Sequence, residues 1–134
     1  MPIASIVGII GCATAPVYRG TLIGGRITVR REELARRIEK SKVFVIQVSE
    51  LEYPIIVVRK GEDNYHALSV RCTHQGCHVR PKRDSLACPC HGSTYDLEGN
   101  VIRGPAKAPL QRFEVLVTSN GIDVIVDQYR EKTK

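Results

Sequence analysis

The sequence CTHQGC at residues 72–77 and the sequence CPCHGS at residues 88–93 decide how this chain is interpreted. Together they hold four of its five cysteines and two of its four histidines. Thiolate and imidazole groups are ligands that zinc and iron favour in proteins. Six such groups in two short segments predict a metal site built from two loops.

Zinc is the first metal to consider, but six candidate ligands exceed the four of a tetrahedral site. A zinc ion would use Cys72, Cys77, Cys88 and one further partner. The histidines lie inside the short loops, unlike the separated pairs of zinc fingers. A structural zinc module stays open as an alternative.

The two segments resemble the signature of the Rieske [2Fe-2S] proteins, which have C-x-H in one loop, C-x-x-H in the other and one more cysteine in each. The resemblance is close over residues 65–110. It implies one [2Fe-2S] cluster per chain, with the thiolates of Cys72 and Cys88 on one iron and the imidazoles of His74 and His91 on the other. Because two neutral imidazoles replace two thiolates, such a cluster is less negative and its potential is higher.

The same resemblance assigns supporting residues. It implies a disulfide between Cys77 and Cys90 that ties the two loops together, and therefore assembly in an oxidising compartment. The hydroxyls of Ser93 and Tyr95 would donate to cluster sulfur atoms and stabilise the reduced state. A proline loop at residues 104–109 would cover the cluster. We therefore expect a potential of about +100 to +300 mV, in the upper part of the Rieske range.

The rest of the sequence favours β-structure. An amphipathic pattern predicts one short helix at residues 31–41, and β-rich runs then predict strands at 43–48, 55–60, 65–70, 112–119 and 122–126. Residues 61–64 and Asn120-Gly121 are typical of hairpin turns. The predicted fold is all-β, a Rieske-type antiparallel β sandwich or barrel with an inserted cluster-binding subdomain of two loops at about 71–96.

The N-terminal segment, residues 1–20, is apolar, and the Rieske domain is predicted to occupy residues 21–134. The uncharged run from Ile3 to Val17 is shorter than the ~20 residues that a spanning helix needs, although it could be a short anchor. Ile9-Ile10-Gly11-Cys12 resembles a lipobox, in which Cys12 would become lipidated. A buried Cys12 in a packed segment is the third alternative. The first two alternatives predict a bacterial membrane-associated protein with its cluster domain on the periplasmic, extracytoplasmic side.

The composition argues against a nucleic-acid partner. The net charge is +6, but the chain has no Trp and no basic run interleaved with aromatic residues. The excess positive charge fits a solvated surface, an acidic protein partner or anionic lipid headgroups.

The predicted function is one-electron transfer by an electron-transfer subunit of an oxidoreductase rather than by a self-sufficient enzyme. The resemblance implies a cytochrome b-like or other quinol-oxidising subunit as donor, and a c-type cytochrome or copper protein as acceptor. His91, beside His74, would present its outer ring nitrogen as the quinol and proton contact. Gln75 stands where members of cytochrome bc and bf complexes usually have Leu, which weakens the expectation of a conventional quinol-oxidising complex.

Two alternative functions remain from the sequence. One is a ferredoxin or Rieske module of an oxygenase, and the other is a small redox subunit of a molybdenum enzyme. Oxygenase modules generally lack the additional cysteine pair and the serine of HGS. Their presence here favours the electron-transfer subunit of a quinol-oxidising complex over an oxygenase module. His66 and His78 fall outside the ligand pattern and are predicted to be surface or half-buried residues.

Overall fold

The computed structural model describes residues 15–39 and 41–126. Cys12 and most of the apolar N-terminal run lie outside the described residues, so the anchor and the lipidated cysteine stay predictions. Described elements are one helix, α1 (Arg31–Ile38), and twelve strands: β1 (Val17–Arg19), β2 (Leu22–Ile23), β3 (Arg26–Arg30), β4 (Val43–Gln47), β5 (Ile55–Gly61), β6 (Asn64–Ser69), β7 (Arg80–Pro81), β8 (Ser85–Ala87), β9 (Thr94–Asp96), β10 (Val101–Arg103), β11 (Arg112–Thr118) and β12 (Gly121–Ile125).

The strands form two sheets. The larger has the order β1-β4-β5-β6-β11-β12-β3-β2, and the smaller has the order β10-β9-β8-β7. All pairings are antiparallel except that of β1 with β4, in which Val17 lies opposite Val45. This parallel pairing is possible because β2, β3 and α1 provide the long crossover between the two strands. The predicted all-β fold is confirmed, apart from this one parallel edge.

The IIVV run that starts β5 is apolar because both faces of this strand are buried. Ile55 and Val57 pack in a helix-side core with Leu34 of α1. Ile56 and Val58 point the other way, since successive strand residues face opposite sides, and pack in a loop-side core. The loop-side core also contains Cys72, Cys88 and Tyr95, so the predicted ligand cysteines belong to the hydrophobic interior.

Helix α1 is shorter than the predicted 31–41. Leu34 is buried, and an ion pair of 2.8 Å joins Glu33 in its first turn to Arg37 in its last turn, which suits the helix dipole. The helix ends at Ile38. Beyond the helix, the N–H of Val43 donates to the hydroxyl of Ser41, and the chain enters β4 at Val43.

The first predicted hairpin turn is confirmed, since Gly61 pairs with Asn64 at the end of β5 and β6. The second turn was predicted one residue too late. Thr118 pairs with Gly121, so the turn residues are Ser119 and Asn120. Gly121, with φ of 144°, is already the first residue of β12. A Cβ atom there would collide with the carbonyl oxygen of Val29 in β3, so the glycine serves strand pairing rather than the turn.

The smaller sheet carries the cysteine-rich segments. Residues 70–79 connect β6 of the larger sheet to β7, and residues 88–93 connect β8 to β9. A bridge between Arg71 and His78 closes the base of the first connection. Both predicted ligand loops therefore project from one end of the small sheet.

Candidate metal centre

The first loop, residues 72–77, is a tight turn closed by its own backbone. The N–H of Cys72 donates to the carbonyl of Cys77 at 2.7 Å, and the N–H of Gly76 donates to the carbonyl of Cys72 at 2.9 Å. These two bonds fix the position of the Cys72 side chain.

The second loop, residues 88–93, repeats this pattern. The N–H of Cys88 donates to the carbonyl of Ser93 at 2.8 Å, and the N–H of Gly92 donates to the carbonyl of Cys88 at 3.1 Å. Gly76 and Gly92 occupy the same place in their loops with φ of 79° and 83°, which L-residues rarely adopt. Each turn thus places one cysteine at its start.

The predicted disulfide between Cys77 and Cys90 is present and joins the two loops, with 6.5 Å between the Cα atoms. The Sγ atom of Cys88 lies within 4.8 Å of both bonded sulfurs. Bonded sulfurs are not thiolates, so the zinc set of Cys72, Cys77 and Cys88 loses one ligand. Among the described cysteines, Cys72 and Cys88 are free.

The two free thiols are buried at 2% and 3% exposure and hydrogen-bond each other. Burial alone raises the pKa of the Cys72 thiol. Hydrogen bonds from Tyr95 and from the backbone N–H groups of His74 and Gln75 outweigh this effect, and the pKa is lowered. Donors around Cys72 thus favour its thiolate, the form that binds a metal.

His74 and His91 lie on the surface at the same end of the molecule. Their ring centroids are 4.9 Å apart, and the rings meet edge to face at 89°. The other two histidines lie elsewhere, as predicted. His66 is half-buried in β6, where burial lowers its pKa, and His78 is exposed and lies 5.1 Å from the ring of Tyr53.

Tyr95 is fully buried, and its hydroxyl lies 3.3 Å from the Sγ atom of Cys72. It also accepts the N–H of Thr73 at 3.1 Å and lies 3.0 Å from the Thr73 hydroxyl. The Thr73 hydroxyl donates its one hydrogen to the carbonyl of Ala108 at 2.6 Å. Burial and the bond to Cys72 raise the pKa of Tyr95, so its hydroxyl stays protonated. The Tyr95 hydrogen can therefore be donated either to the Thr73 oxygen or to the Cys72 sulfur, and a thiolate sulfur is the stronger acceptor because that bond is charge-assisted.

Ser93 is also fully buried, and its hydroxyl oxygen accepts the N–H of Ala106 at 3.0 Å. Accepting this bond leaves the hydroxyl hydrogen free to donate to another acceptor. The predicted proline loop, residues 104–109, is thus tied to the second loop through Ser93 and to the first loop through Thr73 and Ala108.

Sequence reasoning missed two supporting residues, Thr73 and Tyr53. The hydroxyl of Tyr53 donates to the carbonyl of Gly76 at 3.0 Å, and the guanidinium of Arg71 lies 5.6 Å from its ring centroid. Tyr53 stands 23 residues before Gly76 in the chain. No local pattern marks such a contact, because it depends on how β5 and β6 bring the segments together.

The arrangement fits a [2Fe-2S] cluster bound by two thiolates and two imidazoles. Two free buried cysteines, two adjacent exposed histidines and buried hydroxyl donors occupy the same end of the fold. Such a donor set is the mixed one that Rieske centres use.

Comparisons with known proteins support this assignment. Residues 29–114 match the family model of the Rieske [2Fe-2S] domain. A cytochrome b6-f complex iron-sulfur subunit of Chlorobaculum tepidum is 39% identical over 74 residues, which cover 54% of this chain and 40% of that protein. The carotenoid phi-ring synthase of the same organism is 41% identical over 70 residues, covering 51% of this chain and 11% of the enzyme.

A solved structure is similar as well. The cyanobacterial plasma membrane Rieske protein PetC3 from Synechocystis PCC 6803 aligns with a TM-score of 0.57 and 28% identity, covering 71% of this chain and 93% of that one. The match spans less than half the length of each of these two curated relatives. Since the family model covers most of the described residues, the chain belongs to the Rieske [2Fe-2S] domain family and binds a [2Fe-2S] cluster.

Proposed function

We propose that this protein transfers single electrons as the Rieske subunit of a membrane-associated quinol-oxidising assembly, and that Cys72, Cys88, His74 and His91 hold its cluster. The observation that carries the proposal is the pairing of two buried free cysteines with two exposed, adjacent histidines. The cluster, when bound, supplies the one-electron redox centre.

The residues of the chain divide the work at this end of the fold. Burial of the cysteines excludes water from the thiolate side, whereas the exposed imidazoles leave the other side open to a partner. The disulfide and the Tyr53 bond hold the loops in place, which keeps reorganisation small when the charge changes. Of the two imidazoles, we propose His91 as the contact for quinol.

Support for the partners comes from the relatives. Several curated matches are named cytochrome b6-f complex iron-sulfur subunits, from Chlorobaculum and cyanobacteria among others. By this likeness, the donor would be quinol bound to a cytochrome b-like subunit, and the acceptor a c-type cytochrome or copper protein. Gln75 is exposed at the loop tip, so the surface offered to a cytochrome b-like subunit is polar at the position of the usual leucine.

Location is part of the same proposal. We place the cluster domain on the extracytoplasmic side of a bacterial membrane, because the Cys77–Cys90 disulfide requires oxidising conditions to form and persist. Within residues 15–39 and 41–126, no helix is long and apolar enough to cross a membrane. The same disulfide argues against an oxygenase ferredoxin, since such modules generally lack this cysteine pair.

The test compares two histidines that are both exposed, His91 and His78. His91→Ala should lose most of its iron and the electron paramagnetic resonance signal of the reduced protein, whereas His78→Ala should keep about two irons per chain and the parental spectrum. Circular dichroism and the free-thiol count check that both variants fold and keep the disulfide. If His91→Ala retains the parental signal, or if His78→Ala loses it equally, the ligand assignment is wrong.

A further inference from the structure

The three stretches of chain that carry the candidate metal centre and the proline loop contain no carboxylate side chains. Residues 70–83, 85–95 and 99–113 hold no Asp or Glu, although the whole chain has 14 acidic residues among 134. The same segments contain seven cations: Arg71, Arg80, Lys82, Arg83, Arg103, Lys107 and Arg112. Charge is therefore distributed very unevenly over the surface.

Three of these cations adjoin the segments that carry the exposed histidines, and we call them the cationic rim: Arg71, Arg103 and Lys107. Arg71 directly precedes Cys72, and Arg103 pairs with Thr94 at the end of the second loop. Lys107 lies between Ala106 and Ala108, whose backbones are bonded to the two loops.

All three rim residues are exposed, and none makes an ion pair with any described residue. Their charges are therefore available to a partner.

Three of the four acidic residues that border these segments, all but Glu114, are engaged within the protein. Asp84 pairs with Lys42 at 2.8 Å, and Glu98 pairs with Lys60 at 3.0 Å. The carboxylate of Asp96 accepts backbone N–H groups in its own turn. A partner approaching the histidines therefore meets a positive potential, which steers anionic surfaces toward them.

We propose that the cationic rim docks an acidic electron-transfer protein, whose carboxylates surround its own exposed redox centre. This inference rests on the proposed function and adds to it the sign of the partner's charge. A protein partner is favoured over a lipid surface because peripheral membrane binding uses apolar side chains as well as cations. Among the described large apolar residues that are exposed, only Ile102 adjoins this end of the fold.

The test measures binding and electron exchange with two soluble probes of opposite charge, an acidic plastocyanin and a basic cytochrome c. Both are titrated as oxidised proteins against the oxidised, cluster-loaded chain, so that affinity is measured without electron transfer. Stopped-flow oxidation of the reduced chain then gives the rates. Measurements run from about 0.01 M to about 1 M salt, where the Debye length falls from ~30 Å to ~3 Å.

The variants reverse one charge each. Lys107→Glu and Arg71→Glu alter the rim. Arg36→Glu is the control on α1, where the side chain is 73% exposed and lies 3.8 Å from the carboxylate of Glu33. At low salt, each rim variant should weaken plastocyanin binding and slow its reaction about threefold to tenfold, because charge complementarity acts mainly through steering. The control should change either value by less than about twofold.

Three outcomes would overturn the proposal while leaving the cluster assignment intact. The first is a parental chain that binds cytochrome c more tightly than plastocyanin at low salt. The second is an equal effect of Arg36→Glu and Lys107→Glu. The third is rim-dependent sedimentation with phosphatidylserine vesicles together with no salt-dependent plastocyanin binding, which would assign the rim to a membrane. A chain that holds no reducible cluster would instead overturn the proposed function itself.

Discussion

The Tyr95→Phe variant tests the most specific contact at the site. It removes a hydroxyl that is fully buried and lies 3.3 Å from the Sγ atom of Cys72, while the ring stays to fill the same space. The Tyr95 hydrogen can be donated to the Thr73 oxygen or to the Cys72 sulfur, and the sulfur is the stronger acceptor once Cys72 is a thiolate. Removing it should lower the redox potential, since the donor stabilises the more negative reduced state.

The size of this shift follows from the contact. A typical hydrogen bond contributes about 1 kcal/mol, and bonds to charged groups about 1.5–3 kcal/mol. Only the difference between the two redox states changes the potential, so we take about 1 kcal/mol for a bond of this length. One electron converts about 1.4 kcal/mol into 59 mV, so the expected decrease is about 40 mV.

The assay is protein-film voltammetry at fixed pH on cluster-loaded protein, with iron content measured on the same samples. Tyr65→Phe is the matched control, because Tyr65 is also a buried tyrosine but packs in the helix-side core. It should leave the potential within about 10 mV of the parent. If Tyr95→Phe keeps its iron and its potential also stays unchanged, the hydroxyl does not donate to the cluster ligands.

Three further predictions concern stability. The double variant Cys77→Ser, Cys90→Ser lacks the disulfide, which joins residues 13 positions apart. Its free energy of unfolding, measured by denaturant titration, should be about 3 kcal/mol lower than that of the parent. A loss below about 1 kcal/mol would show that the disulfide does not hold the two loops together. Gly121→Ala should destabilise the fold by more than about 2 kcal/mol, since its Cβ would meet the Val29 carbonyl, and an unchanged melting temperature would refute this close approach. Burial raises the pKa of Asp96, but hydrogen bonds from backbone N–H groups outweigh burial, so the pKa is lowered in the folded state. The ionised Asp96 carboxylate therefore stabilises the fold at pH values above its unfolded-state pKa of about 3.9. This stabilisation is lost as the pH falls through the folded-state pKa. The difference in unfolding free energy between the parent and Asp96→Asn should therefore shrink in acid. A difference that grows in acid would show that folding raises the pKa of Asp96 instead of lowering it.

Much of the site was predictable because its residues are close in sequence. The C-x-H and C-x-x-H spacings place each histidine in the same tight turn as its cysteine, and the additional cysteines lie within the same two loops. Local hydrogen bonds then fix each turn, so the two loops could be interpreted before the fold was known.

Features that depend on long-range packing were not predictable in this way. Tyr53 reaches Gly76 only because the strands between them align the two segments, and β1 pairs with β4 across a connection that contains α1. Long-range packing also explains why the second hairpin turn was predicted one residue too late. Asn120-Gly121 has the local sequence of a turn, but close contact of Gly121 with β3 decides the register.

Pulsed electron paramagnetic resonance of the reduced protein, grown with ¹⁵N-labelled histidine, tests most directly whether two histidines bind the cluster. We expect a spin coupled to two histidine nitrogens, with both couplings lost or altered on substitution of His74 and His91 and unchanged by His78→Ala. A spin with no histidine nitrogen coupling, or a reduced protein with no paramagnetic signal, would contradict a [2Fe-2S] cluster held by two cysteines and two histidines.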